Sequence, residues 1–216
     1  TIDLSQYQRL QQEGFPVVFF DRVAIDMEAH KITANNFQGA YDGTALLLKS
    51  GFSRIAHLTT MDNVLVYRER FRGYKEALND YKAEYRPHYL KKCIYGSKQP
   101  DEVEKAVHGL LDLPDKPDAL FITNDKLVLS CLRVLKNMGK RIPQDIGIVA
   151  FSNFDTADLL APPLTVVRQP AFGIGQAAAE VLIQIIESKK PVSEFITREF
   201  ETELVIRSSS SRTTDL

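Results

Sequence analysis

The chain has 216 residues, 44% hydrophobic and 25% charged, with 27 Lys plus Arg against 28 Asp plus Glu for a formal net charge of −1. That length can bury one large core or two smaller ones, and no run of about 18 apolar residues is present to cross a bilayer. The balance of charge excludes a surface that grips phosphates by a basic excess. If the protein serves DNA, the contact is made by residues outside this chain. Cys93 and Cys131 lie far apart without zinc-type spacing and read as two reduced core thiols of a cytoplasmic protein rather than as a disulfide. The opening "TIDLSQYQRLQQEGF" has neither the basic patch nor the apolar stretch of a secretory signal.

In chain order, residues 3–13 read as a helix capped by Asp3, with Gln6 completing a capping box and Gly14 ending it. "FPVVFF" (15–20) follows, apolar on both faces as a strand between two helix layers should be. Residues 37–49 put Phe37, Ala40, Tyr41, Thr44, Leu47 and Leu48 on one stripe, with Asn35 or Asn36 as the cap and Gly51 at the end. "RIAHL" (54–58) is the next strand. A helix over 67–84 leads to a weak strand near 90–95, and a helix over 101–111 leads to "DALFI" (118–122). The helix 126–138 stops at Gly139 and is followed by "IGIVAF" (146–151). After "PPLTVVRQP" (162–170) comes a long amphipathic helix over 171–188 with Ile174, Ala178, Val181, Leu182 and Ile185 on its apolar side. A last strand near 198–206 precedes a Ser-rich tail whose composition predicts disorder.

The alternation predicts an α/β fold, a doubly wound parallel sheet with right-handed crossovers and helices on both faces. "FPVVFF" has no place in that series, which is already consecutive after residue 50. Two lobes resolve this. Residues 1–32 are expected to be the remnant of a first lobe and 33–166 a second lobe. The helix within 167–190 returns to the first lobe, 191–207 carry the final strand and hinge crossing, and 208–216 form the tail. On this reading the first lobe is incomplete, and "FPVVFF" pairs with segments absent from this chain or with another molecule.

Ligands of open parallel sheets bind beyond the carboxyl ends of the strands. Two apolar strands here end on polar pairs, Asn124-Asp125 and Ser152-Asn153, which places those pairs along one side of a cleft. Asn124 or Asp125 could equally cap the helix that follows. "YRERFRGYKEAL" (67–78) carries Arg68, Arg70 and Arg72. A guanidinium there can hold ligand hydroxyls or a carboxylate, or the three can form a solvated face pairing with Glu69 and Glu76. "FGIGQA" with Ala178 matches G-x-G-x-x-[GA] through Gly173 and Gly175. It is rejected as a dinucleotide site because "RQPAF" separates it from the strand and no ribose-binding acid follows. His30, His57, His88 and His108 have no ligand spacing. No nucleophile elbow or phosphate-cradling loop exists. The sequence therefore predicts binding rather than catalysis, with no cofactor and no metal.

Several stretches occur together in order: "PVVFFDR" (16–22), "NNFQGAY" (35–41), "GFSRIAHL" (51–58), "RERFRGYKEAL" (68–78), "PDALFITND" (117–125), "GKRIPQDIGIVAFSN" (139–153), "PPLTVVRQP" (162–170) and "ELVIRSSS" (203–210). The set resembles the effector-binding domain of the LacI/GalR family of bacterial transcription repressors across nearly the whole chain. The resemblance implies a two-lobed, periplasmic-binding-protein-like type I fold with a hinge-lined cleft. It implies an amino-terminal helix-turn-helix outside this chain, a homodimer on palindromic operator DNA, and a small-molecule effector that shifts the lobes. It implies effector contacts by Arg70 and Asn124, and by Ser152 at a position where many relatives carry an acid. Asp21 and the pair Asn35-Asn36 match cleft or hinge positions, and Tyr95 matches the ligand-stacking aromatic. A serine in place of the acid accepts more weakly and can also donate, which leaves the effector class open, with a carbohydrate as the default expectation. A periplasmic solute-binding protein of a sugar transporter is the alternative, and an enzyme on the same sheet is the more distant one.

Overall fold

The computed structural model describes residues 4–23, 26–60, 65–93, 100–188 and 194–212. Helix α1 (Ser5–Gln12) leads to strand β1 (Val18–Phe20) and then to β2 (His30–Ala34). A regular alternation follows: α2 (Asn36–Lys49), β3 (Ile55–Thr59), α3 (Leu65–Asp80), β4 (Leu90–Lys92), α4 (Pro100–Leu111), β5 (Ala119–Ile122), α5 (Asp125–Asn137), β6 (Gly147–Phe151) and β7 (Thr165–Arg168). Helix α6 (Ala171–Ser188) and two short strands, β8 (Thr197–Phe200) and β9 (Glu203–Val205), complete the chain.

Two sheets result. The larger runs β4-β3-β5-β6-β7-β9, parallel except for β9, which joins β7 antiparallel. Every residue of β3, β5 and β6 is buried, as apolar strands covered on both faces must be. Val103, Val107 and Leu110 of α4 and Leu127, Val128, Cys131 and Leu135 of α5 pack on one face. Ala40 and Leu47 of α2 and Tyr74 and Leu78 of α3 pack on the other. This is the doubly wound α/β arrangement expected. Cys93 and Cys131 are free and share one cluster, where burial pushes their thiols up to about 11 and about 12.

The smaller sheet, β1-β2-β8, is wholly parallel. Ile174, Ala177, Ala178 and Val181 of α6 cover Ile32 and Ala34. Of the rejected glycine pattern only Ala178 takes part, since a Cβ at Gly175 would meet nothing within 4 Å and one at Gly173 only the Phe200 ring at 3.5 Å. Several expectations are corrected here. "FPVVFF" yields only a three-residue strand with Phe15 and Phe20 each 56% exposed. It pairs inside this chain, with β2, and does not join the larger sheet. Strand β2 went unread because "HKITA" carries a single large apolar residue. It extends to Ala34, past the boundary expected after residue 32. The single last strand is two: β8 lies beside β2 and β9 beside β7. Leu4 holds the N-cap position of α1 with no side-chain cap, and Asp3 lies outside the described residues.

The serine-rich tail is built in up to Arg212. Ser209 and Ser210 are buried, each 1% exposed. The Ser209 hydroxyl donates to Ile148 O and accepts from Thr165 N–H, both at 2.8 Å. Arg212 reaches Asp118 at 3.1 Å and lies over the Phe52 ring. Composition misled because hydroxyls that satisfy strand-end backbone groups contribute order without apolar area.

Helices α2 and α3 touch backbone to backbone at Gly73. A Cβ there would sit 2.2 Å from Phe37 O and 2.9 Å from Tyr41 N. Gly73→Ala is therefore expected to lower stability by about 2–3 kcal/mol, because overpacking outweighs alanine's helix preference. Thermal unfolding should show Tm lower by roughly 5–10 °C; an unchanged Tm contradicts the close approach.

Candidate functional site

The carboxyl ends of β5 and β6 turn onto the same region. Thr123, wholly buried, donates its hydroxyl to Leu58 O at 3.2 Å. Asn124 then takes the N-cap of α5 in extended backbone, and its side chain accepts from Leu127 N–H at 3.0 Å. The two readings of Asn124 are thus both met: the carbonyl caps the helix while the residue lines a cavity. Ser152, 2% exposed, accepts from Phe154 N–H at 3.1 Å through its hydroxyl. Asn153 grips the backbone of Gln169, donating to its carbonyl at 2.7 Å and accepting from its N–H at 3.0 Å.

The cavity has a volume of about 350 Å³. Arg70, Asn124, Asp125, Ser152, Asn153 and Gln169 form the wall from the larger sheet, with Val66, Tyr67 and Phe151 as its apolar part. Phe20 at the end of β1, Asp21 and Arg22 just after it, and Ala171 and Ile174 of α6 also line it. Four charged groups therefore border it, Asp21 and Asp125 against Arg22 and Arg70.

Arg70 is the most constrained of these. It is 3% exposed, and its guanidinium carbon lies 3.7 Å from the centre of the Phe151 ring. Its Nε donates to Asn36 Oδ1 at 2.8 Å, one terminal nitrogen donates to Thr123 O, and the other donates to Gln169 Oε1 at 3.1 Å. One side chain of α3 thus holds both the start of α2, which follows β2, and the segment that leads from β7 into α6. Burial lowers its pKa to about 10, against the raising influence of Tyr67, Asp21 and Asp125. Among the described residues no carboxylate lies within ion-pair distance of it.

Of the residues singled out in the sequence, Arg70, Asn124, Ser152 and Asp21 line one cavity. Asn35 and Asn36 do not line it. Asn35 caps α2 by accepting from Gln38 N–H at 3.0 Å and donates to Glu201 at 3.3 Å. Asn36, 5% exposed, donates to Ala34 O at 2.9 Å and holds Arg70. Tyr95 lies outside the described residues. Arg22, Tyr67 and Gln169 were missed, although Gln169 ends β7 by the same strand-end rule that found Asn124 and Ser152. Among the described residues there is no group of three or more metal-ligating side chains. None of their helices is long and apolar enough to cross a membrane.

The profile of the family described as periplasmic binding protein-like domain matches residues 44–210. The chain belongs to this family. The periplasmic-binding-protein-like fold here is the one carried by LacI-family regulators. The HTH-type transcriptional repressor PurR of Vibrio atlanticus is 33% identical over 174 residues, 81% of this chain and 51% of its own length. The chain thus spans about half the length of that relative. Among solved structures, the transcriptional regulator CelR in complex with cellobiose superposes with a TM-score of 0.85 at 30% identity, over 96% of this chain and 62% of its own. A LacI family transcriptional regulator from Enterococcus faecium with bound ribose gives 0.83 at 25% identity, over 96% of this chain and 75% of its own. These relatives are transcription regulators, a non-enzymatic family.

Proposed function

We propose that this periplasmic-binding-protein-like domain is the small-molecule sensing core of a cytoplasmic transcriptional repressor. Its cavity takes an effector, and occupancy changes the affinity of an operator-binding part outside this chain, acting as a homodimer. The observation that carries the reading is Arg70, a buried guanidinium with no carboxylate partner among the described residues, which lines the cavity and also holds two chain crossings. A guest that accepts from Arg70 competes with or reinforces those bonds, and an equilibrium shifts only through such differential contacts. A carbohydrate is the effector class the reading favours, because the walls combine hydrogen-bonding groups with the Phe151 and Tyr67 rings, and because relatives hold cellobiose and ribose. The resemblance to transcription regulators rather than to transporter components favours the repressor over a transport protein.

The test is a thermal-shift screen of neutral mono- and disaccharides. At about 100 times Kd a ligand of the folded form adds about 2.7 kcal/mol, which raises Tm by roughly 5–10 °C for a domain of this size. The same sugar should then change operator affinity in the protein that carries this chain. A ligand that binds tightly and leaves operator affinity unchanged contradicts the repressor reading.

A further inference from the structure

We infer that Asp125 is the residue through which the cavity accepts a hydroxyl or N–H of its guest, the role that Ser152 leaves unfilled. The inference rests on the sensing function proposed above and names the chemistry of that same site.

Following the side-chain acceptors of the wall one at a time leads to it. Asn124 Oδ1 is taken by Leu127 N–H at 3.0 Å, and Asn153 Oδ1 by Gln169 N–H at 3.0 Å. Gln169 Oε1 is taken by Arg70 at 3.1 Å. The Ser152 oxygen already receives Phe154 N–H at 3.1 Å, so what this hydroxyl has to offer the cavity foremost is its proton. Arginine side chains only donate. Apart from the Tyr67 phenol, the side-chain acceptors of the wall that receive no hydrogen bond among the described residues are the carboxylates of Asp21 and Asp125; the other oxygens keep at most a second lone pair. Asp125 Oδ1 is buried and has no hydrogen-bond partner among the described residues. A buried carboxylate oxygen without a donor is costly to leave, and a guest that brings a donor removes that cost.

The place of Asp125 is fixed by its neighbours. It is the first residue of α5, directly after the Asn124 cap, so its backbone cannot drift to find a donor elsewhere. The guest is thus required to donate at Asp125 and to accept from Arg70 and from the free amide of Asn124. A polyhydroxylic sugar meets both demands, and so does a base bearing N–H and C=O. An anion without a donor meets only the second.

The test titrates D-ribose, D-galactose, cellobiose, adenine and uracil against the wild type, Asp125→Asn and Asp125→Leu, in the protein that carries this chain. Melting temperatures without probe are recorded alongside. For a probe that binds the wild type, affinity falls about 10-fold in Asp125→Asn, which keeps one acceptor oxygen. It falls about 100-fold or more in Asp125→Leu, which keeps none. A probe analogue lacking the donor group concerned, such as a deoxy sugar, loses affinity for the wild type but loses nothing further in Asp125→Leu. A purely structural role lowers the probe-free melting temperature and leaves that pairing of losses absent. Equal probe affinity in the wild type and Asp125→Leu overturns the assignment and leaves the sensing function standing. A panel in which nothing binds the wild type counts against the sensing function, and the assignment falls with it.

Discussion

Arg70→Ala is expected to weaken effector capture by about 100-fold or more and to cost about 3–5 kcal/mol of folding stability. The first loss follows from removing the donor fork that faces the cavity. The second follows from what stays behind, because Asn36 Oδ1, Thr123 O and Gln169 Oε1 lose their donor together. The Phe151 ring also loses the cation stacked on it. A solvated arginine could be removed without touching the fold, but Arg70 is buried. Arg70→Lys keeps the charge but not the planar fork, so an intermediate loss of about 10-fold in affinity is expected. Calorimetric titration and denaturant unfolding of the two variants separate the effects. Wild-type affinity in Arg70→Ala contradicts the role given to this residue.

His57 gives the second large effect, an acid sensitivity of the fold. Its ring is wholly buried, stacked with Phe71, Tyr74 and Phe121, and among the described residues neither nitrogen makes a hydrogen bond of good geometry. Burial foremost, opposed by the nearby Phe121 backbone and reinforced by the Arg70 charge, lowers its pKa from 6.5 to about 3. The unfolded chain takes up a proton below about pH 6.5 while the folded one does not, so stability is intact above that pH and declines as pH falls toward 3. The slope is about 1.4 kcal/mol per unit, or about 2 kcal/mol between pH 6.5 and 5. His57→Phe removes the proton site and both unpaired nitrogens. Its stability at pH 7 should equal or exceed the wild type, and its loss on going to pH 5 should be about 2 kcal/mol smaller. Parallel pH profiles for the two proteins rule the effect out.

What could be read beforehand depended on how each segment signals itself. From α2 to β7 the periods are clean, apolar strands are bounded by Gly or Pro, and caps such as Asn35 and Asn124 stand where the helices begin. The larger sheet was therefore legible almost element by element. Strand β2 was not, and β8 was read only as part of one longer last strand, since "HKITA" and "TREF" owe their conformation to pairing with each other rather than to an apolar pattern. Tertiary pairing overrides weak local preference in such cases. At the site, Arg70, Asn124 and Ser152 could be found because strand ends and an arginine-rich helix mark them. The burial of Arg70, its grip on Asn36 and Gln169, and the unpaired oxygen of Asp125 depend on distances between segments far apart in sequence. No spacing rule encodes those.

The cavity is bordered by two acidic and two basic side chains, and this bears on how fast it fills. Fields from opposite charges a few ångströms apart cancel at long range, and salt damps what remains beyond a Debye length of about 8–10 Å. Nothing therefore draws a guest inward from bulk solution. Under the proposed sensing function, entry is expected to proceed by ordinary diffusion at a rate nearly indifferent to ionic strength, so that discrimination among metabolites would rest with how long each stays rather than with how often it arrives.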